Sequence, residues 1–107
     1  MLSHIFKIYV PSTTDVNNAI NNAEKVRNTL VFLSDMFGGA TATEARGAWV
    51  SNSAGLVLED VTICYAFTTL TGKLRNRRKI MEYAARLRDE MRQEAISVEI
   101  DGRLYFV

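Results

Sequence analysis

Residues 37–60 read FGGATATEARGAWVSNSAGLVLED, and this stretch decides the fold. Gly38 ends a helix, because glycine readily adopts the left-handed conformation that closes helices. A strand follows, and the turn residues 51–55 fold it back on the next strand as a hairpin. If the two strands pair symmetrically about the turn, Glu59 lies opposite Gly47. The hairpin is therefore expected to place a carboxylate beside a gap in the sheet.

Periodicity predicts the elements before the hairpin. Alternating apolar residues indicate a strand over residues 4–10, which Pro11 ends because proline cannot donate to a strand ladder. Ser12 and Asp15 have the spacing of a capping box, so the first helix is predicted to begin there. Its apolar stripe recurs every three or four residues as far as Phe37.

Residues 56–67 give the strongest strand signal of the chain. Glu59 shares the apolar face of this strand, which the pattern assigns to the core, with Val57, Val61, Ile63, Tyr65 and Phe67. A second helix is predicted to run from Gly72 to about Gln93, with these residues inward: Leu74, Met81, Ala84, Leu87 and Met91. A hairpin about an Asp-Gly turn is predicted over residues 95–107.

The resulting order is βαββαβ with one more strand at the end. It predicts an α+β domain over residues 1–107: a ferredoxin-like sandwich with an additional C-terminal hairpin strand, in which an antiparallel sheet carries two helices on one face. The other sheet face would be poorly covered in a monomer. A homodimer formed through that face or an edge is therefore expected.

Composition limits the classes of function. A net charge of +1 gives no global electrostatic field to steer a partner. Cys64 is the single cysteine, and there is neither a signal-like start nor a run of about 20 apolar residues, so we expect a cytoplasmic protein with no membrane partner. The glycine spacing matches no phosphate loop, and His4 has no second ligand in its neighbourhood. We therefore expect no cofactor and no metal.

A basic run opens the second helix and is the clearest local charge feature. Cations there oppose the helix dipole, so a bound anion would explain them. The ligand would be a phosphate, a nucleic-acid backbone or an acidic partner, held by Lys73, Arg75, Arg77, Arg78 and Lys79. The alternative is a solvated helix face with charges four residues apart, from Arg78 to Glu90.

Glu59 is the second candidate, because an apolar setting raises the pKa of a carboxylate and lets it transfer protons near neutral pH. Trp49, Tyr65 and Tyr9 could line a pocket with it. The alternative is that Glu59 faces solvent or pairs with Arg46, and that the aromatic residues belong to the core or to a dimer interface.

The series Gly38-Gly39-Ala40-Thr41, Gly47-Ala48-Trp49, Gly55 and Glu59 resembles the central signature of small uncharacterised bacterial ferredoxin-like domains. The resemblance implies their fold and groups Thr41, Trp49 and Glu59 as a cluster. It implies no activity.

Three hypotheses of function follow. The first is a self-associating binding or accessory module rather than an independent enzyme, because the residues form no convincing catalytic set. The second is binding of nucleic acid or another polyanion through the basic run. The third is a cofactor-free enzyme similar to the dimeric α+β-barrel oxygenases, in which a sheet pocket holds an aromatic substrate and Glu59 or His4 moves a proton.

Overall fold

The computed structural model of the chain describes residues 1–14 and 18–107. The elements are β1 (His4–Pro11), β2 (Thr13–Thr14), β3 (Asn18–Ala19), α1 (Ala23–Phe37), β4 (Thr41–Ser51), β5 (Gly55–Thr68), α2 (Leu70–Glu90), β6 (Ser97–Ile100) and β7 (Arg103–Phe106). The main sheet has the strand order β4-β5-β1-β6-β7, and every neighbouring pair is antiparallel. The predicted α+β class, antiparallel sheet and two helices are confirmed, and the arrangement is consistent with a ferredoxin-like fold.

The core lies between the helices and one face of the sheet. Phe6, Ile8 and Val10 alternate along β1 and are fully buried, because both neighbouring strands and both helices surround them. The helices contribute their own apolar faces, which include Leu33, Ile80, Ala84 and Leu87. The rings of Phe6 and Phe37 stack at 5.5 Å between centroids. Burial of this single apolar layer is the main stabilising contribution to the fold.

The first helix begins later than predicted. Helix α1 starts at Ala23, whereas Thr13–Thr14 and Asn18–Ala19 pair as two short antiparallel strands. Threonine and asparagine disfavour a helix because their side chains compete for backbone hydrogen bonds. Asn22 instead precedes the helix, and its amide donates to the carbonyl oxygen of Pro11 at 3.2 Å. The capping residue assigned at Asp15 lies outside the described residues.

The core-facing side of β5 was also predicted wrongly. Thr62, Cys64 and Ala66 are buried under the helices, whereas the face that carries Val61, Ile63 and Tyr65 is only partly buried. Both faces of this strand are largely apolar, so alternation could not decide which of them the helices cover. Glu59 therefore lies on the sheet face that neither helix covers, which we call the open face.

Helix α2 is close to its prediction, and Ala84, Leu87 and Met91 are buried as predicted. Ile80 is fully buried, whereas Leu74 is 68% exposed and does not face the core. The side chain of Thr69 caps the helix by accepting a hydrogen bond from the Gly72 backbone N–H at 3.1 Å. Gly38 closes α1 at φ 86°, as predicted. Within the described residues, neither helix is long and apolar enough to cross a membrane.

Candidate ligand-binding site on the open sheet face

The centre of the candidate site is the pair of residues predicted from the hairpin. Gly47 lies directly opposite Glu59 in the β4–β5 register. Because Gly47 has no side chain, it leaves space beside the Glu59 carboxylate. The indole Nε1–H of Trp49 donates to Glu59 Oε1 at 3.2 Å, whereas Arg46 pairs with Asp60 at 2.8 Å. Glu59 is thus oriented by an aromatic donor and not by the arginine considered as its partner.

A cleft of about 320 Å³ extends from Glu59 across the sheet. Tyr9, Ala45 and Val61 lie along it on the strands, Gln93 comes from the segment after α2, and Ser97 begins β6. The Gln93 amide donates to the carbonyl oxygen of Thr13 at 2.8 Å, which fixes this segment against β2. The volume is at the lower end of the range for small-molecule pockets.

A second carboxylate lies on the same face, next to the cleft. Tyr9 donates its hydroxyl to Glu99 Oε1 at 3.0 Å, and Lys7 Nζ lies 3.4 Å from Glu99 Oε2. Burial, followed by the hydrogen bond to Glu99, raises the pKa of Tyr9, so the phenol remains a protonated donor. The open face therefore presents two carboxylates, each held by an aromatic side chain. This combination suits a cationic ligand that also carries a flat ring.

A larger cleft of about 440 Å³ lies on the opposite side of the same hairpin, and its chemistry is different. Its walls include Glu44 and Thr62, and the Asn22 amide there is already bonded to the end of β1. The Arg46–Asp60 pair lines both clefts. Its polar groups largely satisfy one another. The open-face cleft is therefore the better candidate for a ligand site.

The structure brings together only part of the predicted pocket. Trp49, Glu59 and Tyr9 lie around the cleft or against it, whereas Thr41 pairs with Tyr65 at the other end of the hairpin. Eight residues of strand separate Thr41 from Trp49, a distance of about 27 Å. The cluster of Thr41, Trp49 and Glu59 implied by the resemblance therefore does not form. Tyr65 instead packs edge-on against Phe67, with 6.1 Å between the ring centroids.

Sequence reasoning missed Gln93, Ser97 and Glu99. Glu99 reaches the site because β6 pairs with β1, which places it opposite Lys7. The alternation of the last hairpin signals that Glu99 faces away from the core. Only the order of strands in the sheet shows which neighbours it meets.

The predicted anion-binding run does not form a single surface. Lys73 Nζ lies 2.6 Å from Asp101, and Arg78 pairs with Glu82 at 3.2 Å. The Arg77 guanidinium lies over the ring of Tyr105. Arg75 lines a separate shallow cleft beside α1, and Lys79 is exposed. Of the predicted four-residue charge ladder, the Arg78–Glu82 step forms an ion pair, and Glu90 pairs with Lys25 on the other helix.

His4 and Cys64 both lie on the helix-covered side of the sheet. His4 is opposite Thr68, and its Nδ1 lies 2.7 Å from Asp101 Oδ2. Cys64 is fully buried, and burial raises its pKa to about 11, so the thiol is not a nucleophile. His4 therefore cannot act as a proton carrier in an open-face pocket.

Comparison with known proteins adds one resemblance. No family model and no curated protein matches the chain. The solved structure of a phage SAM lyase in complex with S-methyl-5′-thioadenosine superposes with a TM-score of 0.72 at 20% identity, covering 100% of this chain and 92% of the other. The apo state of a phage SAM lyase gives a TM-score of 0.68 at 18% identity, covering 99% and 89%. This likeness shows a shared fold over nearly the whole of both chains.

Proposed function

We propose that the chain binds S-adenosylmethionine (SAM) on its open face and cleaves it as a lyase. Two independent observations support this proposal: the fold shared with a phage SAM lyase over both lengths, and the cleft that ends at Glu59. The observation that carries it is the Glu59 carboxylate, held by the Trp49 N–H beside the gap at Gly47. The proposal replaces the interpretation as an accessory module.

The chemistry of the substrate explains why these residues suit it. SAM carries a positive sulfonium next to an adenosyl group and a positive α-ammonium group. A carboxylate attracts both cations, and aromatic faces bind methylated onium groups and stack on adenine. Glu59 supplies the negative charge in the cleft, while Tyr9 and Trp49 supply aromatic surface. The small footprint of Gly47 lets the ligand approach the strand.

The lyase step needs no general base in its simplest form. The α-carboxylate of SAM attacks its own Cγ, the Cγ–S bond breaks, and the electron pair stays on sulfur. The products are neutral S-methyl-5′-thioadenosine and a homoserine lactone that keeps the α-ammonium charge, so charge balances and no proton or water is consumed. The protein then accelerates the reaction by holding SAM in a folded, near-attack conformation. A site without a catalytic triad can perform this chemistry.

A direct assay tests the proposal. Purified protein is incubated with SAM, and S-methyl-5′-thioadenosine is quantified by liquid chromatography and mass spectrometry against a blank without protein, since SAM also breaks down unaided. We expect product above the blank and a loss of roughly tenfold or more for Glu59→Gln, which keeps the Trp49 hydrogen bond but removes the charge. Glu44→Gln is the matched control on the other face of β4 and should retain the activity.

The proposal is contradicted if the wild type forms no product above the blank and shows no calorimetric binding of S-methyl-5′-thioadenosine. If product forms, the four-carbon fragment identifies the route. Elimination would yield 2-aminobut-3-enoate and release one proton, whereas cyclisation yields its isomer, the lactone, and releases none. Chromatography against both standards and pH recording in weak buffer separate the two routes.

We also propose that a second copy of the chain packs against the β7 edge of the open face and leaves the SAM cleft accessible. Four large side chains on the open face are strongly exposed: Trp49 at 49%, Phe67 at 48%, Leu104 at 50% and Phe106 at 75%. Leu104 and Phe106 lie on the same face of the edge strand β7, and exposed apolar side chains along a sheet edge mark interfaces. Light scattering coupled to size exclusion should give a mass above that of one chain, and Phe106→Lys should lower it. A monomer at every concentration would refute the self-association.

We also propose a finer fold assignment and a cellular location for the protein. We assign the chain to the ferredoxin-like βαββαβ sandwiches, with β7 as the additional strand, and to the small bacterial domains whose glycine and tryptophan series it resembles. Strand β6 then takes the place of the last strand of the sandwich beside β1. A cytoplasmic location agrees with the single buried thiol of Cys64.

A further inference from the structure

A second site lies on the other side of the sheet, where Arg77 and Arg103 converge on Tyr105. The Arg77 Cζ atom lies 5.1 Å from the centroid of the Tyr105 ring. Arg103 and Tyr105 are two residues apart in β7 and therefore share one face of that strand. Their partners in β6, Ile100 and Val98, are buried beneath the helices, so both side chains lie on the side of α2.

Within the described residues, no carboxylate forms an ion pair with either of these arginines, whereas Arg46, Arg78 and Arg88 each have one within 4 Å. The acid nearest to Arg103 in sequence is Asp101, and it is occupied by His4, Lys73 and the Ile5 backbone N–H. Glu99 points to the open face, where Lys7 and Tyr9 hold it. Arg77 and Arg103, which both lie beside Tyr105, are therefore not neutralised by a described carboxylate.

The phenol responds to these charges. Hydrogen bonding from Arg77 lowers the pKa of Tyr105, and Arg103 adds a smaller contribution in the same direction. Both arginines are exposed, and β7 is the edge strand of the sheet, so a ligand can approach from outside.

We propose that Arg77, Arg103 and the Tyr105 hydroxyl bind a phosphate monoester dianion at the edge formed by α2 and β7. Guanidinium groups offer paired donors that match the oxygens of phosphate, and a hydroxyl adds a third donor. A phosphate monoester carries about −1.5 to −2 charges at pH 7, which matches the two uncompensated cations. The site lies on the opposite side of the sheet from Glu59 and does not depend on the proposed lyase activity.

The proposed phosphate site uses only part of the basic run at the start of α2. Its members diverge around α2, and Lys73 and Arg78 are neutralised by Asp101 and Glu82. Arg77 of this run lies over the ring of Tyr105 in β7, and Arg103 of the same strand also acts on that phenol. A phosphate site at this point therefore uses one residue of the run and two residues that the run does not contain.

The arginine Nε–Hε signals in ¹H–¹⁵N spectra report on this site directly. The protein is titrated with inorganic phosphate at about pH 7.5, with sodium chloride adjusted to hold the ionic strength constant. We expect the Arg77 and Arg103 signals to shift together and to saturate at one midpoint. Arg103→Gln should raise the phosphate concentration at the midpoint of the Arg77 shift at least roughly fivefold, because one of two positive charges is lost.

Arg86→Gln provides a matched control. Arg86 lies on the same helix with its Cζ atom 5.7 Å from the Tyr83 ring centroid, and among the described residues no second arginine lies over that ring. This variant should leave the titration unchanged. Arg77→Lys keeps the charge and removes the paired donors, so it should bind phosphate more weakly than the wild type while remaining folded.

Shifts that do not saturate, that acetate reproduces at the same concentrations, or that survive Arg103→Gln would overturn the proposal. If phosphate binding is confirmed, the affinities for adenosine 5′-monophosphate and for a short single-stranded oligonucleotide are compared with that for inorganic phosphate to identify the natural source of the phosphate group. Equal affinity for inorganic phosphate and the nucleotide indicates recognition of the phosphate group itself. Much tighter, salt-sensitive binding of the oligonucleotide through the same two arginines indicates a nucleic-acid backbone.

Discussion

Replacement of Asp101 by asparagine should measurably destabilise the fold. Asp101 lies in the β6–β7 turn at φ 51°, a left-handed conformation that asparagine tolerates well. Its carboxylate accepts hydrogen bonds from the Ile5 backbone N–H at 2.8 Å and from Lys73 at 2.6 Å, and it contacts His4 Nδ1 at 2.7 Å. It thereby ties the turn to the start of β1 and to α2. The variant removes the charge and keeps the shape.

The magnitude follows from these contacts. Hydrogen bonding by His4, then by Lys73 and by the Ile5 N–H, holds the pKa of Asp101 far below its usual range. Hydrogen bonds to charged groups contribute about 1.5–3 kcal/mol each when shielded. The side chains are about a quarter exposed, at 24–26%, and screening reduces that contribution. We expect a net loss of about 2 kcal/mol, or roughly 8 °C in Tm.

The lowered pKa of Asp101 determines how its contribution to the free energy of unfolding changes with pH. Because the pKa of Asp101 is lower in the folded than in the unfolded state, its stabilisation is fully present above about pH 4 and is lost as pH falls through the folded value. Urea unfolding followed by circular dichroism should therefore show the largest difference between wild type and Asp101→Asn at about pH 6. That difference should shrink steadily below about pH 4.

Asp60→Asn serves as the control, because the Asp60–Arg46 pair is mostly exposed, at 63% and 66%, and should change the stability too little to measure. The reasoning is refuted if Asp101→Asn behaves like Asp60→Asn at about pH 6, or if its loss of stability is the same at every pH. Either result would mean that the negative charge of Asp101 does not stabilise the fold.

Three further predictions follow from individual positions. Gly47→Leu should abolish S-methyl-5′-thioadenosine binding in calorimetry with a normal Tm, because its side chain fills the space beside Glu59 and a Cβ there meets only a backbone oxygen at 3.9 Å; retained binding would place the ligand elsewhere. Cys64, with its pKa raised to about 11, should stay unmodified by a disulfide reagent in the native protein and react in urea; rapid native labelling would contradict its burial. Gly72→Ala should lower the Tm, because the added methyl group collides with the Thr68 hydroxyl. The collision costs about 1–3 kcal/mol, which exceeds the roughly 1 kcal/mol that alanine gains in helix propensity. A higher Tm would show that the Thr68 side chain rotates away.

The sequence predicted those parts of the fold that have local signals. The pairing of Gly47 with Glu59 followed from turn residues and symmetric hairpin geometry, and the register confirms it. The left-handed end of α1 at Gly38 and the Asp101–Gly102 hairpin are equally local. The predicted start of α1 was wrong because threonine and asparagine side chains compete with the backbone for hydrogen bonds. That competition is settled by the pairing of Thr13–Thr14 with another short strand.

The candidate site was only partly predictable, for a different physical reason. Trp49 and Glu59 are close in sequence across a turn, so their contact follows from the hairpin alone. Tyr9 and Glu99 are in contact because β1 and β6 are neighbouring strands in the sheet. The order of the strands depends on how the helical connections cross the sheet. The direction of Glu59 was misjudged because a strand with two apolar faces does not reveal which face the helices bury.

The division of the sheet into a helix-covered face and an open face separates stability from chemistry. Asp101 fastens the turn, β1 and α2 together on the covered side, so its loss should act on folding. Glu59 and Gly47 lie on the open face, and Glu59 accepts one hydrogen bond from the exposed indole of Trp49, so changing them should act on ligand binding. If Glu59→Gln lowered the Tm as much as Asp101→Asn, the open face would be part of the folding core. A loss of SAM cleavage in that variant would then have a structural explanation, which is why the two variants must be measured side by side.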